Sequence, residues 1–205
     1  MAIIKSGATS DQLTVDPTSK AARVTLYSTE GISQSEKATY GAATVGNVIA
    51  AAGALMFFVI TGSGSKTLRV RKIRVSGDTL TTLAVNSIVV EKWSTAPTGG
   101  TATVLTQVPY DSNDAAGSAT LCQVYTIAPT EGVLVGTVAC NRHIHKSATV
   151  VDGAQFPDVE IYFGDLPETR ALVLRGAAQA LSLAFSTAPA TAVTLAIEVV
   201  WTEET

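Results

Sequence analysis

Charge is scarce in this chain. Asp, Glu, Lys and Arg make up 15% of its 205 residues, against about a quarter in an ordinary globular protein. The net charge is only -3, so there is no reason to expect a nucleic-acid or anionic-membrane partner. Aromatic residues are few, at 6%. Cysteine occurs twice, as Cys122 and Cys140, which cannot make a disulfide framework for so long a chain. One bridge is an option, but two reduced, buried thiols packed as small hydrophobes are expected. Long apolar runs are missing too. The longest, residues 48–60, would reach about 20 Å as a helix against roughly 30 Å of hydrocarbon, and Gly53 lies inside it. It reads as a buried strand with its lead-in. The start, Met1-Ala2-Ile3-Ile4-Lys5, lacks the apolar stretch of a signal peptide, so synthesis in a cytoplasm, or in a particle assembled there, is the expected default. No segment sustains an apolar 3.6-residue period, so helix should be minor.

Small and β-branched residues fill the space that charge leaves. Hydrophobic content is 46%, which excludes wholesale disorder. Surfaces of Ala, Thr and Ser lose their water cheaply and suit burial against other subunits. Residues 1–45 stand apart. They hold polar turn formers and sparse large apolar side chains: Leu13, Val15, Val24, Leu26 and Tyr27. Residues 12–15 and 24–27 are short strand candidates that could bury little alone. An extended N-terminal arm, ordered by a partner or by the main domain, fits this stretch.

From residue 46 to 205 the pattern is β. Strand candidates cover residues 55–60, 66–75, 80–93, 101–108, 119–127, 133–140, 159–163, 172–174, 181–185 and 193–201, with turn-forming clusters between them. In the last, Val193, Leu195, Ile197, Val199 and Trp201 alternate strictly with the other face; Leu181, Leu183 and Phe185 repeat the pattern. Leu68 and Val70 share one parity while Ile73 and Val75 share the other, so a β-bulge near Arg71-Lys72 is needed to keep one apolar face. The expectation is an all-β, antiparallel β-sandwich, jelly-roll-like first and immunoglobulin-like second.

Chemistry is hard to find. Gly62-Ser63-Gly64-Ser65 is neither a nucleophile elbow, since residue 66 is Lys, nor a P-loop, since the glycine spacing is wrong; a hairpin loop is expected. His143 and His145 would share one face of a strand, with Cys140, Asp152 and Asp158 near in sequence, yet no spaced ligand set emerges. Asp111-Ser112-Asn113-Asp114 starts like a calcium loop and fails at Ala115 and Ala116, which leaves a turn. Glu203-Glu204 reads as a solvated end. No catalytic residue, cofactor site or metal site is assigned. The most distinctive charge feature is Lys66, Arg69, Arg71, Lys72 and Arg74. It reads either as a docking edge for an acidic protein surface or as a solvated strand whose charges resist edge pairing.

Three stretches carry a resemblance. Residues 5–27 (Lys5-Ser6-Gly7-Ala8-Thr9-Ser10-Asp11 through Val24-Thr25-Leu26-Tyr27), residues 62–70 and the ending Ile197-Glu198-Val199-Val200-Trp201-Thr202-Glu203-Glu204 resemble virion structural proteins of tailed bacteriophages. The resemblance implies a non-enzymatic capsid decoration, or cement, protein. It implies virion localisation after assembly in the bacterial cytoplasm. Its partners would be other virion proteins, the major capsid protein first, and copies of itself, as a trimer. A tail, baseplate or fibre component is the alternative within the particle. A carbohydrate-binding module, with Trp93 as a contact, is the alternative outside that class, and a depolymerase on a β scaffold is a third.

Overall fold

A computed structural model describes residues 14–15, 22–23, 37–44, 47–50, 55–76, 84–145, 159–164, 170–189 and 192–204. The chain divides into two compact units, Met1–Glu36 and Lys37–Thr205. Within the first, β1 (Thr14–Val15) pairs antiparallel with β2 (Ala22–Arg23).

The second unit is an antiparallel β-sandwich, with no helix among the described residues. Its strands are β3 (Thr39–Ala43), β4 (Asn47–Ala50), β5 (Met56–Thr61), β6 (Thr67–Ser76), β7 (Ala84–Thr95), β8 (Thr101–Val104), β9 (Val108–Pro109), β10 (Cys122–Ile127), β11 (Val133–His145), β12 (Val159–Tyr162), β13 (Leu172–Arg175), β14 (Ala180–Phe185) and β15 (Val193–Glu204). One sheet runs β11-β7-β14-β5-β10-β8. The other runs β12-β6-β15-β3-β9, with β13 also on β6 and β4 also on β15. Six strands and seven exceed the eight of a jelly roll, so sandwich is the description this order carries.

The core lies between the sheets. Phe58, Ile60, Ile88, Val90, Leu181 and Leu183 from the first sheet meet Leu68, Val70, Ile73, Val75 and the alternating row of β15 from the second. Tyr40 stacks on Trp201 at 5.8 Å between ring centroids. The alternation of β15 is borne out, since Val193, Leu195, Ile197, Val199 and Trp201 are all buried. So is the bulge in β6: Val200 faces Lys72 and Trp201 faces Val70, which leaves Arg71 as the extra residue.

The structure departs from expectation at the arm boundary and at the loop after β5. The sandwich takes in Thr39–Ala43, within the stretch 1–45 whose composition predicts an arm. Tyr40 and Ala42 are core residues, and one large aromatic side chain suffices to anchor so short a strand. The Gly62-Ser63-Gly64-Ser65 loop is not a hairpin, because β5 and β6 belong to different sheets. Ser63 is buried there and its Oγ accepts from the N–H groups of Ser65 and Lys66, each at 3.2 Å.

The six-stranded sheet hides a further device. β7 and β8 pair with β11 and β10 along one continuous antiparallel ribbon: Thr95 faces Val133, Thr98 faces Thr130 and Thr101 faces Ile127. At one end of the ribbon β7 flanks β14; at the other β10 flanks β5. The ribbon must therefore cross the β14–β5 pair, and it crosses on the face turned away from the main core. There Met56, Val59, Trp93, Tyr125, Ala180 and Ala184 form a second buried cluster, with Ala96 and Ala128 against it. The crossing is built from two copies of Ala-Pro-Thr-x-Gly, residues 96–100 and 128–132. Thr98 and Thr130 exchange two backbone hydrogen bonds, of 3.0 and 2.8 Å. The prolines stand at neighbouring positions that the ladder does not need as donors, so they cost it nothing. The final glycines permit close approach: a Cβ on Gly132 would lie 2.0 Å from the Thr95 carbonyl oxygen, and one on Gly100 would lie 2.6 Å from that of Ile127. The composition of residues 96–100 predicts a turn between two strands. They are the middle of a ribbon.

Candidate docking surfaces

On the outer face of the seven-stranded sheet, parity aligns Arg69, Lys72 and Arg74 of β6 with Glu198 and Glu204 of β15 and Glu160 of β12. Lys72 Nζ lies 3.3 Å from Glu160 and 3.7 Å from Glu198; Arg74 lies 3.8 Å from Glu160; Arg69 lies 2.8 Å from Glu204. Lys37 also pairs with Glu204. Hydrogen bonds from Tyr162 and Lys72 hold Glu160 below the usual carboxylate range. Those from Lys37 and Arg69 do the same for Glu204. Burial alone would lower Lys72, but Glu160 and Glu198 outweigh it and raise its pKa.

The basic cluster is thus answered by carboxylates of its own chain. Lys66 reaches Glu203. Arg71, displaced at the bulge, has no carboxylate within ion-pair distance among the described residues. This cancels most of the charge excess on which docking to an acidic surface rested. Such half-exposed pairs contribute little to stability. We therefore expect Lys72→Ala to cost less than about 1 kcal/mol in urea unfolding, and added salt to narrow that cost further.

Glu203 corrects the reading of the C-terminus as a solvated end. It keeps the parity of the β15 core row and is buried. Its carboxylate accepts from the Ser118 N–H at 2.7 Å, the Trp201 indole N–H at 3.1 Å and Lys66 Nζ at 3.2 Å. Burial pushes its pKa up, but these donors prevail and it lies below the usual carboxylate range. Glu203 therefore ties the segment before β10 and the start of β6 to the last strand.

Among the arm candidates, Val15 is in β1, while Leu13, Val24, Leu26 and Tyr27 lie outside the described residues. The cysteines are both free. Cys122 is buried as expected, and burial pushes its thiol up to about 12. Cys140 is exposed on β11, against expectation, because edge strands shield their side chains on fewer sides. His143 and His145 stand on β11 opposite Asn86 and Ala84; Asp152 and Asp158 lie outside the described residues. No metal-ligand group of three appears among the described residues. Asp111 caps its turn through Oδ1, which accepts from the Asn113 N–H at 2.9 Å.

Trp93 is 2% exposed and cannot touch a glycan. The large exposed side chains lie elsewhere. Tyr110 and Tyr162 are exposed on the outer face of the seven-stranded sheet, where the Tyr110 ring covers Gly41 and Lys72 Nζ lies 5.9 Å from the Tyr162 ring. Val133, Leu134, Val135 and Val138 are exposed on β11, an edge strand. Sequence reasoning placed a strand there, but nothing in one sequence says which strand lies at an edge.

Comparison with protein-family models, with curated proteins and with solved structures finds no match to this chain.

Proposed function

We propose that this chain is a non-enzymatic structural protein of a tailed-bacteriophage particle, and that it decorates the capsid. In this reading the Met1–Glu36 unit and the sandwich contact different partners, the first holding to capsid subunits and the second standing as an outer knob. The observation that carries the reading is the division into a small N-terminal unit and a large sandwich, together with the low-charge composition and the resemblance of residues 5–27. Cross-linking mass spectrometry of intact particles tests it. Lys5 and Lys20 should link to the major capsid protein. Links from these lysines only to their own chain would remove the capsid-holding role.

A second reading rests on two exposed tyrosines, Tyr110 and Tyr162, at opposite edges of the seven-stranded sheet. Aromatic rings with polar groups between them suit stacking on sugar faces, and Tyr110 and Tyr162 replace Trp93 as the contacts for a carbohydrate-binding module. Binding on a glycan array, lost in both Tyr110→Ala and Tyr162→Ala, would favour it over the decoration reading; no binding across a broad array would dismiss it.

A further inference from the structure

We propose that the edge of β11 left unpaired among the described residues is a self-association surface, on which a second copy of this chain lays its own β11 antiparallel about a two-fold axis at Thr137.

The surface comes first. Ten large hydrophobic side chains are exposed among the described residues, and four of them fall within six consecutive positions of β11. Val133 is 59% exposed, Leu134 49%, Val135 63% and Val138 45%. A soluble edge strand usually defends itself with Lys, Pro or an inward charge. Residues 133–141 contain none of these. Register shifts against β7 leave Val135 and Val138 outside the regular pairing, and bulges re-aim such side chains. The opposite edge, β8, offers only four residues and one large apolar side chain, Val104.

The ends of the strand identify the occupant. Glu131 stands six residues before Thr137, while Arg142 and His143 stand five and six residues after it. The entry to the strand is acidic and the exit basic. Antiparallel pairing about Thr137 puts position 131, the acidic entry of each copy, opposite position 143 at the basic exit of the other, with Arg142 the next position along, and does so twice over. Parallel pairing would set like against like. A two-fold contact is self-complementary in this sense: what one copy offers the other receives. It also makes pairs and cannot by itself close the trimer that the sequence reading expected.

This inference does not depend on the particle reading, and the full-length protein tests it. Sedimentation across a concentration series should show a monomer–dimer equilibrium. Val135→Lys with Val138→Lys should weaken the dimer at least tenfold, roughly the effect of losing a buried apolar anchor. Glu131→Arg should weaken it about tenfold by placing like charges together at both ends. Adding His143→Glu to Glu131→Arg should restore wild-type affinity, because residue 143 of one copy stands opposite residue 131 of the other about this axis, and no partner of a different sequence would respond in this way. In a Cys140→Ser background, Thr137→Cys should form an inter-chain disulfide, because residues opposite each other in an antiparallel pair lie about 4.5–5.5 Å apart at Cα, within bridging range. If the double lysine variant proves unfolded by circular dichroism, the charge exchange and the cross-link decide the matter. A monomer at every concentration overturns the proposal. So does a dimer that the charge exchange fails to restore.

Discussion

Glu203→Ala is expected to destabilise the sandwich by about 3–5 kcal/mol, the usual loss when one member of a buried charged pair is removed. Three donors lose their acceptor at once. Lys66 is left as a partly buried cation without its counter-charge, the Trp201 indole N–H is buried without a partner, and the part-buried Ser118 N–H loses its acceptor. Each orphaned group carries its own desolvation cost. Glu203→Gln keeps the shape and an oxygen for Trp201 or Ser118, so it should lose clearly less. Urea unfolding of the three proteins at neutral pH gives the comparison. The same carboxylate predicts a pH dependence. Its folded pKa is depressed, so the stability it confers is complete above its unfolded value, about 4.3. That stability drains away as pH falls through the lower folded value. Wild-type protein should therefore lose stability below about pH 4.3 more steeply than Glu203→Gln. Equal acid slopes would show that Glu203 is not held in its ionised form.

Trp93→Ala is the second large effect. Truncating a buried Trp typically costs about 3–5 kcal/mol through lost burial and the cavity left behind. Here the indole fills the small cluster between the β14–β5 pair and the ribbon that crosses it. Its N–H also donates to Ser182 Oγ at 2.8 Å, and Ser182 lies 3.3 Å from Glu91 Oε2. Burial already raises the pKa of Glu91, against the relief from Ser182 and with a push from Glu131. Loss of the indole opens this polar pair to rearrangement. The damage should begin locally. Amide hydrogen exchange at Thr98 and Thr130, which bond to each other across the crossing, should quicken more than at Ile197 in the main core. Uniform acceleration at all three would mean that the two clusters unfold as one.

Much of this architecture was legible. Strict alternation located β14 and the core face of β15, and broken parity located the bulge at Arg71, because side-chain parity is a local consequence of the pleat. What lay beyond local geometry was harder. Glu203 continues the parity of Val193 through Trp201, so its inward direction was there to read; the presence of an acid masked it, since carboxylates are seldom buried. The repeated Ala-Pro-Thr-x-Gly was also in plain view. Read singly, each copy is a turn; only as a pair do they mark where two strands must bend and cross. The pairing of the basic cluster with Glu160, Glu198 and Glu204 depends on which strands become neighbours, which spacing along one chain does not encode.

The ribbon crossing also has a consequence in time. β5 waits for β14, more than a hundred residues later in the chain, and the crossing has nothing to cover until those two strands meet. A growing chain can form the local ribbon early but cannot seat it before β14 has been made. Contacts of such separation close slowly, on the scale of milliseconds to seconds or longer. Until then Trp93 and Tyr125 lack the surface that buries them. The last quarter of the sequence thus sets the moment at which the ribbon near its middle can come to rest.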